Sequence, residues 1–78
     1  GLRFGDSLFE TIRVVNNKIY FWEDHYLRLM ASMRILRVEI PMIFTMEHLE
    51  DQILKTTESN SLRNSPVRIS LTVFRNNE

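Results

Sequence analysis

Apolar and polar residues alternate over two segments of the chain. This predicts two β-strands, because successive side chains of a strand point to opposite faces. Residues 7–15 alternate imperfectly and contain many β-branched residues. One predicted face carries Leu8, Glu10, Ile12 and Val14, and the other carries Phe9, Thr11, Arg13 and Val15. Residues 67–73 also alternate, and the face predicted to be buried carries Val67, Ile69, Leu71 and Val73.

A turn signal follows the first predicted strand directly. Asn tolerates positive φ angles, so Asn16 and Asn17 suit a two-residue hairpin turn. Residues 18–21 are then expected to form the returning strand. This hairpin is predicted from local sequence alone.

The middle of the chain changes to a helical period. Residues 22–36 place apolar side chains every three or four positions, which predicts an amphipathic helix. Residues 38–44 are expected to be an extended connection, because Pro41 cannot occupy a central strand. Thr45 can cap a second helix over residues 46–57, and the polar residues 59–66 predict a loop. The predicted order is strand, strand, helix, helix, strand, which is an α+β fold.

Composition narrows the classes of partner. The chain has 78 residues, no Cys and a formal net charge of zero, with 10 Lys+Arg and 10 Asp+Glu. We expect no nucleic acid and no membrane as partner, since both favour a basic surface and no apolar run is long enough to span a bilayer. No metal site is expected, because His25 and His48 are too few and too far apart. The start at Gly1 suggests a fragment, and we expect a cytoplasmic context.

One arginine stands out chemically on the first predicted helix. Arg28 lies three residues after His25, on nearly the same face. Its planar fork of donors suits a phosphate, which His25 could help to hold. A solvated arginine beside a surface histidine explains the same pattern, and the pattern alone favours that explanation.

The first strand carries the other candidate side chains. Glu10 lies among apolar neighbours and needs a partner, for which we expect Arg13 or Arg68 in a structural ion pair. Phe9 and Thr11 point to the same side of the strand, and core packing is their ordinary explanation. Spacing alone therefore predicts a small α+β domain without a visible active site.

Two stretches resemble the signatures of a known enzyme family. Residues 4–14, FGDSLFETIRV, resemble the GDGLFETIR signature of class IV aminotransferases. Residues 23–29, EDHYLRL, resemble that family's EHxxRL helix, with Asp24 in place of the usual Glu. The order and spacing also fit, and the resemblance covers nearly the whole chain as the family's small N-terminal domain. The family comprises fold-type IV pyridoxal-phosphate enzymes, among them branched-chain aminotransferases, D-amino-acid transaminases and 4-amino-4-deoxychorismate lyases.

The resemblance implies roles for four residues. Arg28 would bind the phosphate of pyridoxal 5'-phosphate. Phe9 would lie beside the substrate, and Thr11 would line the side-chain pocket. Arg75 could help to hold a substrate carboxylate, although residues 72–75 read Thr-Val-Phe-Arg where the family often has Thr-Arg-Gly, so the register of this arginine is shifted.

The resemblance also implies that the catalytic residue lies elsewhere. The family's Schiff-base lysine belongs to the large domain, far downstream, and neither Lys18 nor Lys55 matches its position. Residues 1–78 are therefore expected to be the N-terminal small domain of a homodimeric enzyme and to be inactive alone. The reaction would be transamination of an amino acid or cleavage of aminodeoxychorismate to 4-aminobenzoate and pyruvate, and residues 5–14 look somewhat closer to the lyase. The alternative is a stand-alone, non-catalytic interaction or dimerisation module.

Overall fold

The computed structural model describes residues 7–59 and 65–74, which form an antiparallel sheet with two helices packed on one face. The elements are β1 (Ser7–Val15), β2 (Lys18–Ile19), α1 (Trp22–Ile35), α2 (Met46–Ser59) and β3 (Val67–Phe74). The strand order is β2-β1-β3, so β1 is the central strand. The predicted α+β fold and the predicted order of elements are confirmed.

The hairpin between β1 and β2 is built on two residues with positive φ. Asn16 has φ 50° and Asn17 has φ 62°, as a type I′ turn requires. The returning strand is shorter than predicted and ends at Ile19, because the chain turns at Tyr20 and Phe21 to enter α1. Phe21 itself has φ 57°, and this left-handed residue sets the direction of the helix.

The core lies between the sheet and the helices. Ile12 and Val14 of β1 are completely buried against Trp22 of α1 and Ile53 of α2. A second buried cluster consists of Leu29, Met30 and Met33 of α1. These residues belong to the faces predicted from alternation and from helical period. Since Leu8 packs against the second cluster, α1 covers the half of β1 that also carries Glu10.

Three side-chain hydrogen bonds fix the connection between the helices. The Tyr26 hydroxyl donates to the Phe44 carbonyl at 2.7 Å, and the Trp22 indole N–H donates to the Met46 carbonyl at 3.2 Å. Thr45 Oγ1 accepts from the His48 backbone N–H at 3.1 Å, which confirms the predicted N-cap of α2. The Tyr26 and Trp22 bonds hold the start of α2 against the first turns of α1.

The opposite face of the sheet carries no helix within residues 7–59 and 65–74. The register of β1 and β3 pairs Phe9 with Thr72, Thr11 with Ser70 and Arg13 with Arg68, all of which are exposed on that open face. Core packing was thus the wrong explanation for Phe9 and Thr11. Phe9 is 67% exposed, because both helices cover the other side of the strand.

Candidate functional site

The first group of candidate residues lies on the open face of the sheet. Phe9 and Thr11 are two residues apart on β1 and therefore point to the same side. Thr72 and Ser70 lie directly opposite them on β3, and Phe74 at the end of β3 is also exposed. This face combines large aromatic area with hydroxyl groups, a mixture that suits a ligand with both apolar and polar parts.

The open face becomes basic toward the hairpin. Arg13 and Arg68 are paired across the strands, and Lys18 lies on the neighbouring strand. The Tyr20 ring lies 5.7 Å from the Arg13 guanidinium carbon and 5.8 Å from Lys18 Nζ, at cation–π distance. The described residues that point to this face include no carboxylate, so an anionic group would find positive charge there.

The second group lies between β1 and α1. Arg28 Nε is 3.4 Å from Glu10 Oε1, and His25 Nδ1 is 3.6 Å from the same oxygen. The Glu10 and His25 side chains are only 15% and 16% exposed, whereas Arg28 is 61% exposed. One shielded carboxylate thus faces two nitrogen-bearing side chains, and most of the surface of the arginine remains accessible to a ligand.

The partner of Glu10 differs from the prediction. We expected Arg13 or Arg68, but both point to the open face while Glu10 points toward α1. Residues three apart on a strand lie on opposite faces, so the alternation itself excludes Arg13. Arg28 and His25 lie one helical turn apart on the helix that covers Glu10, and they take this place.

Arg28 and the Phe9–Thr11 pair lie on opposite sides of β1. A ligand that touched both would have to pass across an edge of the strand. β2 pairs only with Val14 and Val15, so within the described ranges residues 7–12 have no strand on that edge. This edge is therefore the route by which a single ligand would contact both groups of candidate residues.

The remaining candidates fall outside these two groups. Arg75 lies outside the described residues. Lys55 pairs with Asp51 at 3.0 Å on the exposed face of α2, and Lys18 lies in the hairpin. No group of three potential metal ligands occurs within residues 7–59 and 65–74, and no helix there is long and apolar enough to cross a membrane.

Comparison with known proteins identifies the family. The family model described as amino-transferase class IV matches residues 7–78. The chain belongs to the class IV aminotransferase family. The family predicted from residues 4–14 and 23–29 is thereby confirmed, and the matched region contains Arg28, Phe9 and Thr11.

Individual relatives of the chain carry several activities in their names. A Methanocaldococcus jannaschii protein, provisionally named a branched-chain-amino-acid aminotransferase, is 35% identical over 72 residues. A D-alanine aminotransferase of Listeria monocytogenes is 29% identical over 72 residues. Each alignment covers 92% of this chain and 24% of the relative, so the chain spans about a quarter of the length of these proteins.

A solved structure has the same fold. A crystal structure from Legionella pneumophila, provisionally described as a 4-amino-4-deoxychorismate lyase, superposes with a TM-score of 0.73. The superposition covers 95% of this chain and 27% of that one, at 24% sequence identity. At this identity the similarity shows a shared fold. The argument for function rests on the residues of this chain.

Proposed function

We propose that residues 1–78 are the N-terminal small domain of a pyridoxal-phosphate enzyme, and that Arg28 binds the phosphate of the cofactor. The observation that carries the proposal is the state of Arg28, whose Nε lies 3.4 Å from a shielded carboxylate oxygen while 61% of its side chain is exposed. A guanidinium presents a planar fork of donors to phosphate oxygens. The arginine also belongs to the helix motif through which the sequence resembles its family.

The residues fit the phosphate end of the cofactor. Glu10 Oε1 is a buried oxygen, shielded by Arg28 and His25 from any anion bound beyond them. The exposed part of Arg28 can then meet the phosphate, and the positive charge of the guanidinium offsets the repulsion from the carboxylate. When bound, pyridoxal phosphate supplies an electron sink for negative charge that develops on the substrate. In this proposal the domain orients the cofactor, and the lysine that bonds to it lies beyond Glu78.

The open face is proposed as one wall of the substrate pocket. Phe9 would contact the apolar part of the substrate, and Thr11 would line the side-chain pocket beside it. Arg75 would follow the exposed end of β3 and help to hold a substrate carboxylate. A cofactor anchored at Arg28 would reach this wall across the edge of residues 7–12, which β2 leaves uncovered.

The substrate class is an amino acid or aminodeoxychorismate, and the enzyme is an aminotransferase or a lyase. The names of the relatives include both activities. We further propose that the full-length enzyme is a cytoplasmic homodimer and that residues 1–78 are inactive alone. The alternative, a non-catalytic interaction module, has less support because the family match covers residues 7–78.

A cofactor titration of the full-length protein tests the proposal. Wild type should bind pyridoxal 5'-phosphate with a visible absorbance band, and Arg28→Ala should weaken binding by roughly 10- to 100-fold, as for loss of hydrogen bonds to a charged group. Arg34→Ala is the matched control, since Arg34 is an exposed arginine in the last turn of the same helix. A full-length protein that binds no cofactor would favour the interaction module instead.

A further inference from the structure

We propose that Glu10 is a positioning residue that orients Arg28 for the cofactor phosphate. The carboxylate attracts the guanidinium from its Nε side, so that the two terminal amino groups are turned toward the anion. This inference rests on the proposed function, because it requires a phosphate at Arg28. It goes further in assigning a role to a carboxylate that would itself repel the cofactor.

Burial makes Glu10 an effective anchor. Its Oε1 atom is buried and has no hydrogen bond of good geometry within the described residues, and the same is true of His25 Nδ1. A shielded carboxylate without such bonds depends on nearby positive charge, because burial of an unpaired charge is costly. Arg28 Nε at 3.4 Å supplies that charge. The arginine is therefore drawn toward Glu10 before any ligand arrives.

The atom that Glu10 contacts matters for the direction of the arginine. A guanidinium is planar and has five N–H donors, one on Nε and four on the terminal amino groups. A negative charge beside Nε draws that edge of the group toward β1 and favours the terminal donors on the side away from it. Since 61% of the Arg28 side chain is exposed, these donors can meet a phosphate from solvent.

Glu10 belongs to a rigid element of the fold. Glu10 lies in the middle of β1, paired with Leu71 of β3 and two residues from the fully buried Ile12. Arg28 lies on α1, so its contact with Glu10 restrains this long helical side chain relative to the sheet. Side-chain freedom is lost before the phosphate binds, which favours tighter binding.

A purely structural ion pair would explain the same contact, and the two explanations predict different ligand dependence. A structural pair supports the pocket equally for any ligand. A positioning residue acts through the phosphate, so its loss should weaken pyridoxal 5'-phosphate and leave phosphate-free pyridoxal almost unaffected. It should also have no effect once Arg28 is absent.

The experiment titrates both ligands into full-length apoprotein for wild type, Glu10→Gln, Arg28→Ala and the double variant. We expect Glu10→Gln to weaken pyridoxal 5'-phosphate roughly tenfold and pyridoxal less than about twofold, with no further loss in the Arg28→Ala background. Glu23→Gln is the charge-matched control, since Glu23 is exposed in the first turn of α1. This control should bind both ligands like wild type.

Equal weakening of both ligands, or no weakening of either, would overturn the inference while the phosphate role of Arg28 stands. Unchanged phosphate-ligand affinity in Arg28→Ala would instead overturn the proposed function and the inference with it. If Glu10→Gln does not fold, the Arg28 Nε–H resonance of wild type decides. A shift of this resonance on adding pyridoxal 5'-phosphate but not pyridoxal supports positioning, and an equal shift with both ligands or with neither contradicts it.

Discussion

Glu10 of β1 and Arg28 of α1 meet at 3.4 Å between Oε1 and Nε, although 17 residues, including the hairpin, lie between them in the chain. The contact joins the two stretches by which the sequence resembles its family, since Glu10 lies in one and Arg28 in the other. Each stretch thus contributes one partner of this ion pair. Their spacing has a physical basis in the short β1–β2 hairpin, which brings α1 back over β1.

The hydrophobic face of β1 should control the stability of the domain. Ile12→Ala removes side-chain atoms that are 0% exposed and should cost about 2–5 kcal/mol in the free energy of unfolding. Ile35→Ala is the control, because Ile35 is 78% exposed at the end of α1. Thermal unfolding of the full-length protein should show a lower midpoint for Ile12→Ala only. A similar loss for Ile35→Ala would mean that another part of the protein buries that residue.

The arginine pair on the open face should be a local source of instability. Arg13 and Arg68 are directly opposite in the β1–β3 register, and like charges in that position repel. Arg68→Glu replaces repulsion with attraction and should stabilise the protein by about 0.2–1 kcal/mol. The gain, measured by thermal unfolding, should shrink in high salt.

Arg34→Glu provides the comparison for that pair. It introduces the same charge change at an exposed helical position outside the sheet. It should not stabilise the protein, because a negative charge in the last turn of a helix opposes the helix dipole. If Arg68→Glu lowered the unfolding midpoint, the arginine pair would have an anionic neighbour elsewhere in the full-length protein.

The N-cap of α2 should contribute measurably to stability. Thr45 Oγ1 accepts the His48 backbone N–H, so Thr45→Ala should cost about 1 kcal/mol. Thr45→Ser keeps the acceptor oxygen and should retain most of this stability. The two variants can be compared by denaturant titration of the full-length protein. Equal loss in both would assign the effect to the Thr45 methyl group and contradict the cap.

β1 shows most clearly which features of the fold the sequence predicts. Alternation correctly places Ile12 and Val14 inside, because a strand has a fixed period of two. It could not identify Arg28 as the partner of Glu10, since that depends on how α1 packs against the sheet. Alternation could, however, have excluded Arg13, which has the opposite parity.

The open face shows a different limit of sequence interpretation. Phe9 is a large apolar residue of a type that usually lies in the core. Only the three-dimensional structure shows that both helices pack on the opposite face of β1. The length of β2 could not be predicted from the sequence either, because it depends on the left-handed conformation of Phe21. The proposed role of Phe9 beside the substrate rests on the family resemblance, which alternation alone does not supply.

Phe9 should affect the reaction without affecting cofactor binding. Its side chain lies on the opposite side of β1 from Glu10, so Phe9→Ala leaves the contact with Arg28 in place. Loss of an aromatic contact with substrate should lower kcat/KM by roughly 10- to 100-fold, while the Kd for pyridoxal 5'-phosphate stays near that of wild type.

Tyr20→Ala is the matched control for Phe9→Ala, because Tyr20 is an exposed aromatic residue near the other end of the same face. Steady-state kinetics of the full-length enzyme with amino-acid and aminodeoxychorismate substrates would measure both variants. Tyr20→Ala should keep kcat/KM within about threefold of wild type, since the proposed substrate wall is at Phe9 and Thr11. Equal losses in the two variants would extend the wall to the hairpin, and no loss in Phe9→Ala would exclude Phe9 from the substrate pocket.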